Sequence, residues 1–449
     1  MPHIGWRLFR RMGKEPGASV LNRVVVVCAL GYFVDIYDLL LFNIVRRQSL
    51  HDLGVPDARL LAVGADLLNW QMGGLLLGGI VWGVLGDRRG RRSVLFGSIA
   101  LYSLANLGNA LVQSVPMYAA LRFVAGIGLA GELGAAITLV SEALPAARRG
   151  YGTMLVSAIG ILGAVAGFSV SRLDWRVAYL TGGILGLLLL AARLGLAESP
   201  LFAGIRGHGR RGDLRLFLGS PGPDGRLRWL RGNGRRLGLL ARTSLVGVPL
   251  WCAIGILVTF SPEIAQALRV RGAVDAGAAV LAAYGAASLG SLASGWLSQR
   301  LRSRRTPLLA FLAFTAAVDG AFLLLGGASS GLYLAACAGL GFGAGYWAVF
   351  MQTAAEQFGT DLRATVTTAA PNLVRGSVVP LTLAYRLLAG PLGLVASAVL
   401  LLCLTLAAAL AAAWSLPETF GRDLDFLETA PAPADGPAAE RPVAGPAQA

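Results

Sequence analysis

Apolar stretches separated by short polar, glycine-rich or arginine-rich breaks run along nearly the whole chain. A bilayer core about 30 Å thick is crossed by about 20 apolar residues of α-helix. The pattern therefore predicts twelve crossings, over residues 24–45, 61–85, 93–112, 117–143, 151–171, 176–196, 243–266, 276–298, 307–327, 332–356, 366–388 and 393–415. A Gly- and Arg-rich segment at 203–242 has little apolar periodicity and divides the helices six and six. The expected organisation is a tail at 1–23, a six-helix bundle at 24–202, a basic linker at 203–242, a second six-helix bundle at 243–426 and an Ala/Pro-rich tail at 427–449. That last composition buries no core and reads as disordered.

Composition agrees with a lipid-solvated chain: of 449 residues, 55% are hydrophobic and 14% charged, far from the balance of a water-soluble globule. The net charge of +15 raises a nucleic-acid reading, but its distribution rules that out. The basic residues, Lys14 the only lysine among them, recur in short clusters between apolar segments instead of forming one face beside aromatics. They concentrate in the loops on one side, at 86–92, 144–150, 203–242 and 299–306, together with 1–23. The positive-inside rule makes that side, with both termini, cytoplasmic. Asp35 and Asp38 interrupt the first apolar run, which has no small-residue cleavage site, so it reads as a retained helix rather than a secretory signal. Cys28, Cys252, Cys337 and Cys403 fall in apolar segments without metal-ligand spacing and read as buried, inert thiols.

The two halves also repeat. At an offset of 212, Gly83 and Asp87-Arg88 fall on Gly295 and Gln299-Arg300; at 214, Ala130-Gly131, Glu142, Arg149 and Thr153 fall on Ala344-Gly345, Glu356, Arg363 and Thr367. Both halves close alike, on Glu198-Ser199-Pro200 and Pro417-Glu418-Thr419. Such a parallel duplication implies two bundles related by an axis along the membrane normal.

The stretch Gly83-Val84-Leu85-Gly86-Asp87-Arg88-Arg89-Gly90-Arg91-Arg92 lies between the second and third predicted helices. Its glycines permit a tight turn, and Asp87 at a helix end can pair with arginines or with a helix N-terminus. It resembles the G-x-x-x-D-R-x-G-R-R motif of the major facilitator superfamily. A second signature, Arg122-Phe123-Val124-Ala125-Gly126-Ile127-Gly128-Leu129-Ala130-Gly131-Glu132, continues to Glu142 and Arg148-Arg149-Gly150 and is similar to that of the sugar, phosphate and metabolite-proton symporter branches. Leu416-Pro417-Glu418-Thr419-Phe420-Gly421-Arg422 resembles the close of sugar-porter chains. The resemblance implies two pseudo-twofold-related bundles and a conformational latch of Gly83, Asp87, Arg88, Gly90, Arg91, Arg92, Glu142, Arg149, Glu356 and Arg363. In the second half Gln299 stands for Asp87 and Arg302 for Gly90, so no matching second latch is expected. The Gly-Pro motif of drug-proton antiporters is missing from 160–167, which lowers an exporter reading.

Charges inside a membrane cost several kcal/mol unless they face a cavity or a partner, and so mark function. Asp35 and Asp38 share a helix face and suit a proton site, with a structural pair as the alternative. By resemblance Glu132 is a second proton or substrate candidate, against a plain interhelical bond. Arg122 is expected to pair with an acid on the first helix and tune coupling, against snorkelling to the interface. Arg375 is suited to hold an anionic substrate or to balance an acid. Asn372, Asn69, Gln71, Tyr346, Trp347 and Gln352 are the further substrate-site candidates; Asp66 shares the face of Asn69, and Trp251 and Tyr284 are aromatics that border a central cavity in this architecture. Asp319 is an intramembrane acid without an assigned role.

No phosphate loop, nucleophile elbow, zinc cluster or Ser/His/Asp arrangement occurs, which excludes an enzyme reading and leaves no cofactor or metal to expect. The expectation is a monomeric secondary transporter of a bacterial inner membrane, moving protons and a small polar solute, an organic anion foremost. A sugar porter, an exporter of amphipathic compounds and a non-transporting receptor are the alternatives.

Overall fold

The computed structural model describes residues 20, 23–172, 174–193, 229–360 and 362–424. The expected tails at 1–23 and 427–449, apart from Val20 and Arg23, and most of the linker at 203–242 lie outside the described residues. The described chain forms twelve rods. The first six are α1 (Arg23–Asp52), α2 (Asp57–Arg89), α3 (Arg91–Asn109), α4 (Val115–Leu129 and Glu132–Ala143), α5 (Ala146–Ile161 and Gly163–Ser171) and α6 (Trp175–Ala192). The second six are α7 (Trp229–Cys252, a π-helical stretch Ala253–Val258, and Ser261–Ala267), α8 (Ala276–Leu301), α9 (Arg305–Phe322), α10 (Ser330–Ala344 and Trp347–Gln357), α11 (Arg363–Gly376 and Val378–Leu392) and α12 (Leu394–Ser415).

Ten rods are long and apolar enough to cross a membrane by length and composition alone. The other two, α3 and α11, are short or broken and bury polar groups, among them Ser98, Ser103, Asn106 and Asn109 on α3 and Asn372 and Arg375 on α11. The outward faces carry large apolar side chains such as Leu324, Leu387 and Trp414, as a surface solvated by hydrocarbon requires. α7 begins at Trp229, inside the stretch read as linker. Its first turns are held because Leu237, Leu239 and Leu240 pack on Phe358, Leu362 and Val366.

The sequence repeat is a packing repeat. α2 packs on α4 as α8 does on α10, α3 on α6 as α9 on α12, and α1 on α5 as α7 on α11. Across the middle, α2 packs on α11 as α8 packs on α5. Each pair maps on its counterpart by adding six to the helix number, which is the pseudo-twofold relation. The interface between halves is thus formed by α2, α4 and α5 against α8, α10 and α11, with α1 also reaching α8. Of the two loops that repeat each other, one turns on Gly90 at φ 103°; the other turns on Arg302 at φ 51°, a left-handed position that a side chain takes at some cost.

Candidate functional site

Between the halves lies a narrow void lined by Tyr32, Ile36, Ile161, Leu250, Trp251, Ile254, Tyr284, Ala287, Ala344 and Trp347. Its free space is about 20 Å³, room for little more than one water molecule and far below the ~300–1,000 Å³ typical of ligand pockets. Its lining is aromatic and aliphatic, with few polar atoms. The charge is supplied at its edge by Arg375 of α11, whose Cζ lies 5.9 Å from the Trp251 ring centroid and which is faced by the hydroxyls of Tyr32 and Tyr284.

The counter-ion of Arg375 is Asp35 of α1. Arg375 Nη2 donates to Asp35 Oδ2 at 3.5 Å, across the interface of the halves, and both residues are fully buried. The pair is incomplete: Arg375 Nε and Nη1 and Asp35 Oδ1 have no hydrogen-bond partner. Asp38, one turn further along α1, is also fully buried with both carboxylate oxygens unpartnered, facing Asp35, Asn106 and Arg122. A Cβ at Gly182 of α6 would collide with its Oδ1, so the bare backbone there makes the room that Asp38 occupies.

Glu132 sits at the break in α4 and is held by Arg193 at the end of α6, a residue the sequence reading passed over. Arg193 Nη1 donates to Glu132 Oε2 at 2.8 Å and Nη2 to Oε1, and neither residue is exposed. The pair lies against Gly31 of α1, where a Cβ would strike both side chains. Arg193 interrupts the apolar run 176–196, and an intramembrane charge is itself a signal that was available.

Arg122 does not pair with an acid on α1. Its Nη1 donates to the Tyr179 hydroxyl at 3.2 Å, its Nη2 to Gln71 Oε1, and its guanidinium lies 4.9 Å from the Phe42 ring centroid. No carboxylate among the described residues comes within ion-pair distance of it, because α2 and α6 place these neutral acceptors around it first. Nor does it snorkel, being fully buried.

Of the substrate candidates, Trp347 lines the void and Arg375 reaches its edge; the others are spent on packing. Asn372 donates to Ala130 O at 2.8 Å and to Thr368 O at 2.7 Å. Tyr346 donates to Val246 O at 2.7 Å, and Gln352 Nε2 to Glu356 Oε1 at 2.7 Å. Gln71 serves Arg122, and Asn69 Oδ1 accepts from Thr382 at 2.8 Å. Trp251, Tyr284 and Tyr32 complete the aromatic wall.

Polar contacts bridge the halves at both ends of the interface. On the basic face Arg363 Nη1 reaches Glu142 Oε1 at 3.1 Å, Arg149 donates to Arg422 O at 3.2 Å, and Gly83 approaches Thr365 of α11 so closely that a Cβ there would be 3.3 Å from the Thr365 Cα. Arg88 and Arg92 are exposed, Arg92 over the Phe96 ring, and the side chains of Asp87 and Arg91 lie outside the described residues. A second charge cluster does exist in the second half, built from other residues than Gln299 and Arg302. Arg304 makes a bidentate pair with Glu356 at 2.9 and 3.0 Å, and Glu418 accepts from Ser303 Oγ at 2.6 Å and from Arg304 N at 2.8 Å. Burial opposes the charge on Glu418, but those bonds and the amides of Phe420 and Arg305 hold its carboxyl below the usual carboxylate range. On the opposite face Arg46 of α1 pairs with Glu263 of α7 at 2.9 Å, and Asp66 of α2 with Arg386 of α11 at 2.9 Å. Asp66 and Asn69 therefore bridge the interface instead of lining the cavity. Asp319 lies away from the void and accepts from Cys403 Sγ at 3.4 Å; Cys403 is exposed on the outer side of α12, unlike the three buried cysteines.

Known proteins bear on this arrangement. The family model described as Major Facilitator Superfamily matches residues 28–378, most of the chain. The chain belongs to this superfamily. Among solved facilitator structures, the proton:xylose symporter XylE bound to 6-bromo-6-deoxy-D-glucose superimposes with a TM-score of 0.68 over 90% of this chain and 97% of that one. At 18% identity that likeness concerns the fold alone. The 3-(3-hydroxy-phenyl)propionate transporter of Escherichia coli (strain K12) is 38% identical over 136 residues, 29% of this facilitator and 34% of that relative. The niacin transporter NiaP of Acinetobacter baylyi is 29% identical over 182 residues, 39% and 40% of the two chains. The matches thus span less than half the length of these curated relatives.

Proposed function

We propose that this facilitator is a secondary active transporter that takes up a small organic monoanion, an aromatic carboxylate in particular, by proton symport and alternating access. One observation carries the reading: a fully buried arginine, Arg375, stands where the halves meet, at the edge of an aromatic-walled void, with two of its three nitrogens free. A guanidinium offers a carboxylate two parallel bonds, and Trp251, Tyr284 and Trp347 offer ring faces to a flat apolar body. Sugars need a ring of amides and hydroxyls, and here the Gln71 amide oxygen and the amide nitrogens of Asn372 and Gln352 are engaged elsewhere. Two relatives that are named for carboxylic acids, a hydroxyphenylpropionate and niacin, support the same class.

Asp35 and Asp38 are the proton carriers in this reading. Glu132, paired bidentately with Arg193, is structural, and Arg122 acts on Asp38 through space. The basic face is cytoplasmic, and the bridging of the halves at both ends represents the occluded stage between outward and inward opening. The protein works as a monomer in a bacterial inner membrane, and the boundaries 24–202 and 243–426 delimit its two moving bodies.

Uptake by proteoliposomes with an inside-alkaline gradient tests the proposal, using labelled nicotinate, 3-(3-hydroxyphenyl)propionate and xylose. Saturable entry of one of the carboxylates, abolished by collapsing the gradient, is the expected result. Entry of xylose alone, or carboxylate entry indifferent to the proton gradient, would replace it with a sugar-porter or uniporter reading.

A further inference from the structure

Resting on the anion-transport reading above, we propose that Asp35 is a built-in stand-in for the transported carboxylate: the solute displaces it from Arg375, and the displaced Asp35 takes up one proton.

The geometry is that of a placeholder. Asp35 meets Arg375 through one contact at 3.5 Å, with Oδ1, Nε and Nη1 all unpartnered although both side chains are fully buried. Elsewhere in the same membrane region the chain builds a bidentate pair, Glu132 on Arg193 through both oxygens, with only Arg193 Nε left without a partner. A short side chain on α1 and a long one on α11 meet at a reach their backbones dictate. A free carboxylate has no such tether and can present both oxygens to the guanidinium fork.

Displacement leaves Asp35 without a cation. It faces Tyr32 and Asp38 on its own helix, Glu132 on α4 and Arg193 on α6, besides Arg375 on α11. Arg193 is already held by Glu132, and Arg122 by Gln71 and Tyr179. A buried carboxylate deprived of its partner is neutralised by a proton sooner than it stays charged. The sum over the site is then the same in both states. Arg375 with ionised Asp35 carries no net charge, and Arg375 with a bound monoanion and protonated Asp35 carries none either. One proton therefore accompanies one anion, and the loaded carrier crosses its occluded stage without moving net charge through the membrane field.

The test is calorimetric titration of nicotinate and of 3-(3-hydroxyphenyl)propionate into the purified full chain near neutral pH, in two buffers of different ionisation enthalpy. The expected result is uptake of one proton per anion bound. In Asp35→Asn the anion still binds, about tenfold tighter because its internal competitor is gone, and proton uptake vanishes. In liposomes, uptake by the native protein follows a pH gradient and ignores an imposed potential, whereas Asp35→Asn moves the anion in response to potential. Anion binding by the native protein without proton uptake overturns the proposal, as does proton uptake that persists in Asp35→Asn. A folded Asp35→Asn protein, judged by its thermal unfolding, that no longer binds the anion overturns it too, since Asp35 would then hold the anion instead of competing with it. Failure of the native protein to bind either probe or any other monocarboxylate is a different outcome: it removes the anion-transport reading itself, and this inference with it.

Discussion

Among the buried ion pairs of this facilitator's described residues, Glu132–Arg193 and Asp35–Arg375 are built differently. Glu132 and Arg193 lie within the first bundle, use both oxygens and both terminal nitrogens, and are walled by Gly31. Asp35 and Arg375 join the two bundles through one long contact and leave three polar atoms unsatisfied. In the proposed cycle a bidentate pair inside one bundle costs nothing, because it is never broken. A pair across the interface has to come apart each time in that proposed cycle, and incompleteness keeps that step easy. Under the proposed function the contrast separates a charge that holds the fold from a charge that works.

The comparison is broken most directly by removing one partner of the bidentate pair. Glu132→Gln strands Arg193 in an apolar setting and is expected to cost about 3–5 kcal/mol of stability, read as a lower unfolding temperature in detergent. Replacing Glu132 and Arg193 together by leucine returns most of it, since no unpaired charge remains. The incomplete pair should respond in the opposite channel. Arg375→Gln is expected to lower uptake kcat/KM by at least about 30-fold, equivalent to ~2 kcal/mol of lost anion binding, with a much smaller change in unfolding temperature than Glu132→Gln.

Gly31→Val tests whether the bidentate pair depends on its bare wall. A side chain there overpacks the Glu132–Arg193 contact and should cost ~1–3 kcal/mol of stability, again by thermal unfolding. Smaller still, Trp251→Ala should raise KM for an aromatic carboxylate by about 2- to 10-fold, the equivalent of ~0.5–1.5 kcal/mol of ring contact, while an aliphatic carboxylate of similar length is affected less. The smallest effect belongs to the basic face. Glu418 has a folded-state carboxyl held below the usual range, so its contribution is fully present above the unfolded pKa and fades as pH falls through the lower folded one. Glu418→Gln should therefore cost ~0.3–1 kcal/mol, as for a charge lost from the N-terminus of α9, at neutral pH. The difference from the native protein should vanish in acid, which stability measured from neutral pH downward would show.

The two pairs were not equally legible from the amino acids. Asp35, Asp38, Glu132 and Arg375 stand out because a charge in an apolar run is costly and therefore carries information. Their pairing does not stand out: Asp35 and Arg375 are 340 positions apart, and Glu132 and Arg193 meet only because α4 breaks at Ala130 and Gly131 and α6 ends beside that break. Arg122 shows the same limit. Its burial follows from its place in an apolar helix, but its choice of Gln71 and Tyr179 over an acid is settled by which helices flank α4. The second latch was missed because Gln299 and Arg302 read as its loss, although Glu356 and Arg304 stand at the repeat positions of Glu142 and Arg92 and pair with each other.

By itself the sequence determined the number of helices, their division into two repeated halves, the superfamily and the identity of the buried acids. All of these rest on local apolar length, on charge spacing and on glycine-bearing motifs, which act within one helix or one turn. Only the tertiary structure decided which of the buried charges is satisfied and which is left half-paired, and which amides are consumed by helix packing rather than facing the void. Those outcomes depend on distances of a few ångströms between side chains on different helices, and no local pattern encodes them.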